Sequence, residues 1–270
     1  MNVRDVMKSF HIQDTLNTNV WEEDKSLNPK VRKILLKVSQ KFIKDWNIDK
    51  KVKIQDIRFT GSLAAYNWSK YSDIDLHIIV QYKDLNKDLN LVSRFFTLMK
   101  AYWNIKHDIK IDGYEIEVYV EDMSEKHTAT GLYSVLDDKW IKEPEPTDAV
   151  FDEDDVLTKS KYFFNLYNDI LLKKYKEGKY SEVIQVIEKT KEKIRKMRSS
   201  GLARGGEFST ENLVFKVLRR TDLLGKMNDL ITKSTDKKLS ETKKMPGGWK
   251  DKWWLGGHRG GYGVCKRYGE

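Results

Sequence analysis

Apolar residues recur at three- and four-residue spacing from 29 to 46, where Val31, Ile34, Leu35, Val38, Phe42, Ile43 and Trp46 form one helical stripe. Asn28-Pro29 immediately before it predicts the helix start, with Asn as cap and Pro as first helical residue. Ile54 to Phe59 then predicts a strand running into Gly61-Ser62, and residues 63–67 a short helix. From Asp73 to Gln81 polar and apolar residues alternate, the mark of a strand with one face in a core. Helical spacing returns between Asp84 and His107 through Leu89, Val92, Phe95, Phe96, Leu98, Met99 and Trp103. Ile109-Lys110-Ile111 and Tyr114–Val120 flank Asp112-Gly113, a dipeptide that favours tight primed turns and so predicts a hairpin. A second hairpin is predicted over Tyr133–Ile141 around Asp137-Asp138. The expected fold class is α+β: a small mixed or antiparallel sheet with flanking helices, followed by a helical domain.

Pro144 and Pro146 lie in an acidic, irregular stretch that reads as a linker. Beyond it the pattern predicts helices over about 153–175, 180–199, 209–220 and 222–233. Ser209 is the expected cap of the third, with Phe208 and Leu213 spaced for a hydrophobic staple. Ser199 to Gly206, rich in Ser and Gly, is expected to be a loop. From about residue 236 the chain becomes rich in Gly, Trp, Tyr and Lys/Arg. The expected organisation is therefore a sheet-containing domain over 1–147, a helical domain over 148–235 and a flexible basic tail over 236–270. The sequence shows no internal repeat.

Charge separates the halves. The net charge is +9, yet residues 1–150 carry 23 basic and 24 acidic residues against 27 and 17 in 151–270. The whole basic excess lies in the second half, which marks residues 151–270 as a candidate nucleic-acid contact. A single cysteine, Cys265, excludes an internal disulfide framework and points to a reducing, cytoplasmic setting. No apolar run is long enough to span a membrane, the first residues lack a signal-peptide core, and the five histidines form no zinc-type cluster. No membrane association is expected.

The candidate chemistry sits on the alternating strand. Asp73 and Asp75 project from one face, roughly 6–7 Å apart along the strand. Two like charges held that close are unfavourable unless a cation lies between them. A divalent metal suits the position, and oxygen-only ligands favour Mg²⁺ or Mn²⁺.

Gly61-Ser62, a ten-residue spacer and then Asp73-Ile74-Asp75 among apolar residues resemble the signature of the DNA polymerase β-like nucleotidyltransferase superfamily. The resemblance covers roughly residues 30–145, and the layout is also similar to phage-encoded proteins with such a domain. It implies a third carboxylate on a neighbouring strand. Glu115 and Glu117 share one face of the Tyr114–Val120 strand, and Glu117, flanked by apolar residues, is the favoured one. It further implies that Asp73, Asp75 and Glu117 hold two Mg²⁺ ions, and that Gly61 and Ser62 receive the phosphates of a nucleoside triphosphate. The implied reaction moves a nucleoside monophosphate from an NTP, with ATP favoured, to an acceptor hydroxyl, releasing pyrophosphate. A bacterial or phage-infected cytoplasm is the implied setting.

Lesser candidates follow from position. His77 shares the face of Asp73 and Asp75. Lys159, Lys161 and Lys216, with Arg219 and Arg220, are candidates to reach the triphosphate, and Tyr133 to stack on the base. The acceptor (RNA, protein, nucleotide or small molecule) is left open, as is the alternative of an inactive module that binds nucleic acid or a partner protein.

Overall fold

The computed structural model describes residues 3–125, 129–146 and 150–240. These fall into two compact units. The first comprises residues up to 164 together with 194–223; the second comprises 165–193 and the residues from 224 onward. The helices expected to form one separate domain are thus shared between the two units. Residues 153–164 and 194–223 belong with the sheet.

In the first unit, a short helix α1 (Val3–Met7) precedes α2 (Pro29–Trp46). Asn28 caps α2, its side-chain oxygen accepting from the amides of Lys30 and Val31, and left-handed Asn47 ends it. Six strands follow: β1 (Asp56–Thr60), β2 (Ile74–Val80), β3 (Lys110–Ile111), β4 (Tyr114–Asp122), β5 (Leu132–Ser134) and β6 (Lys139–Lys142). They form one mixed sheet in the order β3-β4-β2-β1-β5-β6, in which β2 and β4 are parallel and every other pair is antiparallel. Helix α3 (Leu89–Lys106) makes the crossover between β2 and β4. It begins later than the periodicity suggests, because Asp88 accepts from the Leu91 amide and sets the start. Both predicted hairpins are present. Asp112 and Gly113 take φ of 48° and 88°, as a primed turn requires, and Asp138 takes 57°.

The alternation in β2 divides the sheet into two faces. Ile74, Leu76, Ile78 and Val80 are fully buried and join Ile116, Val118 and Val120 of β4 in one core. Leu35, Val38 and Phe42 of α2 and Phe96, Met99 and Trp103 of α3 complete that core. On the other face, the register sets Asp75 beside Glu117 and His77 beside Tyr119. Because β3 is only two residues long, β4 would expose a sheet edge beyond it. The Asn104 side chain covers that edge, accepting from Val118 N at 3.2 Å and donating to Val118 O at 3.4 Å.

Trp21 packs on the core face at the β1, β5 and β6 end of the sheet. Its ring stacks on Phe59 (5.4 Å) and Trp140 (4.4 Å), and its indole N–H donates to Leu63 O at 2.7 Å. Trp21→Ala would leave a large cavity and an unpaired carbonyl. It is expected to cost about 3–5 kcal/mol, read as the fall in unfolding free energy by urea denaturation.

The helices after the sheet are α4 (Glu153–Asn165), α5 (Leu172–Lys176), α6 (Tyr180–Gly205), α7 (Thr210–Arg220) and α8 (Leu223–Ser240), with a π-helical stretch (Leu166–Leu171) joining α4 to α5. The expected loop over 199–206 is instead mostly helix. Gly201 serves close packing: a Cβ there would lie 2.7 Å from Cβ of Glu211. The helix stops at Gly206, which has φ of 64°. Ser209 makes no side-chain cap of α7; its hydroxyl donates back to Gly206 O at 2.9 Å. The basic tail proposed over 236–270 lies outside the described residues from 241 onward. No helix among the described residues is long and apolar enough to cross a membrane.

Candidate active site

Asp73, the residue before β2, Asp75 within it and Glu117 on β4 each offer a carboxylate oxygen, and the three oxygens lie within 4.8 Å of one another. The parallel register of β2 and β4 brings them together, since it aligns Asp75 with Glu117. Glu115, the other candidate, is exposed and pairs with Lys110 at 3.3 Å on the hairpin. The geometry therefore favours Glu117.

Gly61 follows β1 with φ 85° and ψ −168°, and a Cβ there would sit 2.0 Å from Oδ2 of Asp75. Its lack of a side chain makes room for the carboxylate, a more direct need than the approach of a phosphate. Ser62 opens a single 3₁₀ turn (Ser62–Ala64), shorter than the helix expected over 63–67, so little helix dipole is available there. The Ser62 hydroxyl lies 2.7 Å from that of Ser72, which also accepts from the Ser69 amide at 3.0 Å. This serine pair fixes the loop that delivers Asp73. As opening residues of the turn, Ser62 and Leu63 have no carbonyl within it for their amides.

The carboxylates are held at an electrostatic cost. Burial, followed by the charge of Asp73, pushes Asp75 up to about 7. Burial also raises Asp73, partly opposed by Arg219, whose guanidinium lies 3.6 Å away. Glu117 accepts from the Tyr119 hydroxyl at 2.5 Å and has the Lys100 ammonium at 3.7 Å. Lys100 also sits over the Tyr119 ring, 3.4 Å from its centroid. His77 lies one rung further along the sheet, stacked on Tyr119 at 4.6 Å, with Nδ1 2.5 Å from Glu121. That places it beside the acidic cluster but not in it.

A cleft of about 550 Å³ opens over Asp73, Asp75 and Ser62, and its opposite wall is basic: Arg198 of α6 with Lys216, Arg219 and Arg220 of α7. These helix segments belong to the same compact unit as the sheet. Burial lowers the Lys216 pKa, and Glu207 stands 3.8 Å from its ammonium. Arg220 is built in by a 2.6 Å bond to the Ser9 hydroxyl and by the rings of Phe10 and Tyr71; burial pushes its pKa down to about 10. Arg198 packs over Phe215 and donates to Asn212. A second recess of about 400 Å³ is lined by Glu117 and Glu115, and shares Tyr71, Asp73, Arg219 and Arg220 with the first.

Three candidates fall away from the cleft. Tyr133 is buried in the core, its hydroxyl donating to Asp138 and its ring edge-on to Trp21 and Trp140, so no base can stack on it. Lys159 ties α4 to α7 through Asp155 (2.8 Å) and Glu211 (3.5 Å). Lys161 is exposed on α4 and lines neither recess. Lys216, Arg219 and Arg220, spaced three and four apart on one helix, were legible as a shared face. Arg198 and Lys100 carried no sequence signal, because only the tertiary fold brings α6 and α3 to the site.

No protein-family model, curated protein or solved structure matches this chain.

Proposed function

We propose that this chain is a nucleotidyltransferase of the polymerase β-like kind, dependent on Mg²⁺ or Mn²⁺. It would transfer a nucleoside monophosphate from an NTP, ATP being favoured, to an acceptor hydroxyl. The observation that carries the reading is the meeting of Asp73, Asp75 and Glu117 within 4.8 Å, with the two aspartates facing a cleft whose other wall holds four cationic side chains. An all-oxygen donor set fits a hard divalent cation, and the side-chain-free Gly61 leaves the space that the Asp75 carboxylate needs. When bound, such a cation neutralises phosphate charge and makes the attacking hydroxyl a better nucleophile.

The protein's own groups divide the remaining work. Lys216, Arg219 and Arg220 present positive charge to a polyphosphate in the larger recess, and the opening amides of the Ser62 turn add neutral donors. The recess has the volume expected for a ligand of nucleotide size. The smaller recess, which meets the first at Asp73, is the natural place for the acceptor. Glu117, oriented by Tyr119 and Lys100, borders it and is placed to accept the proton of the acceptor hydroxyl. In the balanced reaction the acceptor oxygen bonds to the α-phosphorus, the bond from that phosphorus to the bridging oxygen breaks, and pyrophosphate leaves.

The test is incubation of the full chain with each α-³²P-labelled NTP and Mg²⁺, adding total RNA and cell lysate in turn as acceptors. Label transfer that disappears in Asp73→Ala and Asp75→Ala is expected. Absence of transfer with every acceptor, together with no Mg²⁺-dependent NTP binding, would overturn the reading. RNA retention without transfer would point to a binding module.

A further inference from the structure

We infer that the outer face of α3 is a docking seam for a partner helix with acidic flanks. Leu91, Phe95, Leu98, Tyr102 and Ile105 follow one another at spacings of four, three, four and three residues. Each is more than half exposed, Leu98 by 70% and Ile105 by 87%. At the helical repeat they fall within an arc of about 80°. Another face holds most of the helix in place: Val92, Phe96, Met99 and Trp103 pack into the core, and Asn104 and Lys100 turn to β4, while of the stripe Tyr102 meets Trp46 of α2 edge-on at 5.9 Å. α3 is therefore apolar on two adjoining arcs, and the outer one stays largely exposed after the inner one has packed into the core.

The spacing and the charges select the occupant. A repeat averaging 3.5 residues, confined to a narrow stripe, is the seam of a two-helix coiled coil; a helix lying on a bilayer has a broader apolar face. The stripe is bordered by Arg94 on one side and Lys106 on the other, and α3 contains no acidic residue. Two carboxylates that border the helix are already engaged. Asp88 caps the helix, and Asp45 on α2 pairs with Lys41. A second copy of α3 would set like charges against one another along both edges. The sequence from 241 to 270 is itself rich in Lys and Arg, which disfavours it on the same ground. Glutamates at the flanking positions of the partner would instead complete the seam.

The probe is a synthetic amphipathic helix with Leu and Ile at its core positions and Glu at its flanks, alongside a twin with Lys at the flanks. Binding to the full chain is read by fluorescence anisotropy. The Glu peptide is expected to bind at least about 10-fold more tightly than its twin, and Leu98→Asp to weaken binding by about 10-fold or more without lowering the melting temperature. Ile105→Asn, at the most exposed position, should weaken it in the same direction. No binding of the Glu peptide, equal binding of the two peptides, or binding indifferent to both substitutions would overturn the inference. So would a dimer of the chain that Leu98→Asp dissolves in sedimentation, or binding to phosphatidylglycerol vesicles that Leu98→Asp abolishes. Those results would assign the face to a second copy or to a membrane.

Discussion

Asp75→Asn is expected to abolish nucleotidyl transfer and, in the same protein, to raise the melting temperature measured without metal at pH 7.5. Loss of activity should be about 1000-fold or more, equivalent to about 4 kcal/mol of transition-state stabilisation. The gain in stability follows from the raised pKa. Asp75 titrates near 7 in the folded protein against an ordinary value of 3.8. Between those values the folded state holds a proton that the unfolded state has released, so stability falls as pH rises through the interval. Above pH 7 the penalty is fully present, and the amide removes it. Asp75 faces an open cleft, so solvent screening reduces the benefit to about 1–2 kcal/mol, or about 3–6 °C. Millimolar Mn²⁺ should raise the melting temperature of the wild-type chain and leave that of Asp75→Asn almost unchanged. A variant no more stable than wild type at pH 7.5, and a wild-type chain indifferent to Mn²⁺, would remove the electrostatic basis of the proposed metal site.

The parts of this molecule that were legible in its sequence are those with a local cause. Asn28-Pro29 starts α2 because a cap and a fixed φ act within three residues, and Asp112-Gly113 turns the β3–β4 hairpin for the same reason. The alternation through β2 places Asp75 on the polar face with no help from the rest of the chain. The parallel pairing that brings Glu117 to it depends on α3, yet Glu117 could still be chosen, because it lies well inside a strand while Glu115 sits by the turn. Composition misleads where a tertiary contact decides the structure. Ser199 to Gly206 looked like a loop because serine and glycine are weak helix formers, but Gly201 is small in order to meet α7. Tyr133 reads as available in a hairpin, whereas Trp21, from a distant part of the chain, and Trp140, its cross-strand neighbour on β6, enclose it. The basic wall was half visible: α7 wrote its three cations on one face, while Arg198 arrives from another helix.

Gly61→Ala is expected to reduce transfer nearly as much as losing Asp75 and, in contrast to Asp75→Asn, to lower the melting temperature. Two costs combine at this position. The backbone adopts φ 85° and ψ −168°, a region that residues with a Cβ occupy only under strain of about 1–3 kcal/mol. The new methyl group would also lie 2.0 Å from Oδ2 and 3.0 Å from Cγ of Asp75, so the carboxylate must leave its place or the end of β1 must shift. Either movement separates Asp75 from Asp73 and Glu117. A double-mutant cycle with Asp75→Ala separates the two costs. Cβ of residue 75 would be 3.4 Å from the methyl group, a tolerable contact, so truncating Asp75 removes the clash and leaves the backbone strain. Gly61→Ala should therefore cost less in the Asp75→Ala background than in the wild-type chain, with a coupling of about 1 kcal/mol or more. Equal costs in both backgrounds would mean that the glycine serves only its own backbone conformation. Its position next to Asp75 would then have no part in building the site.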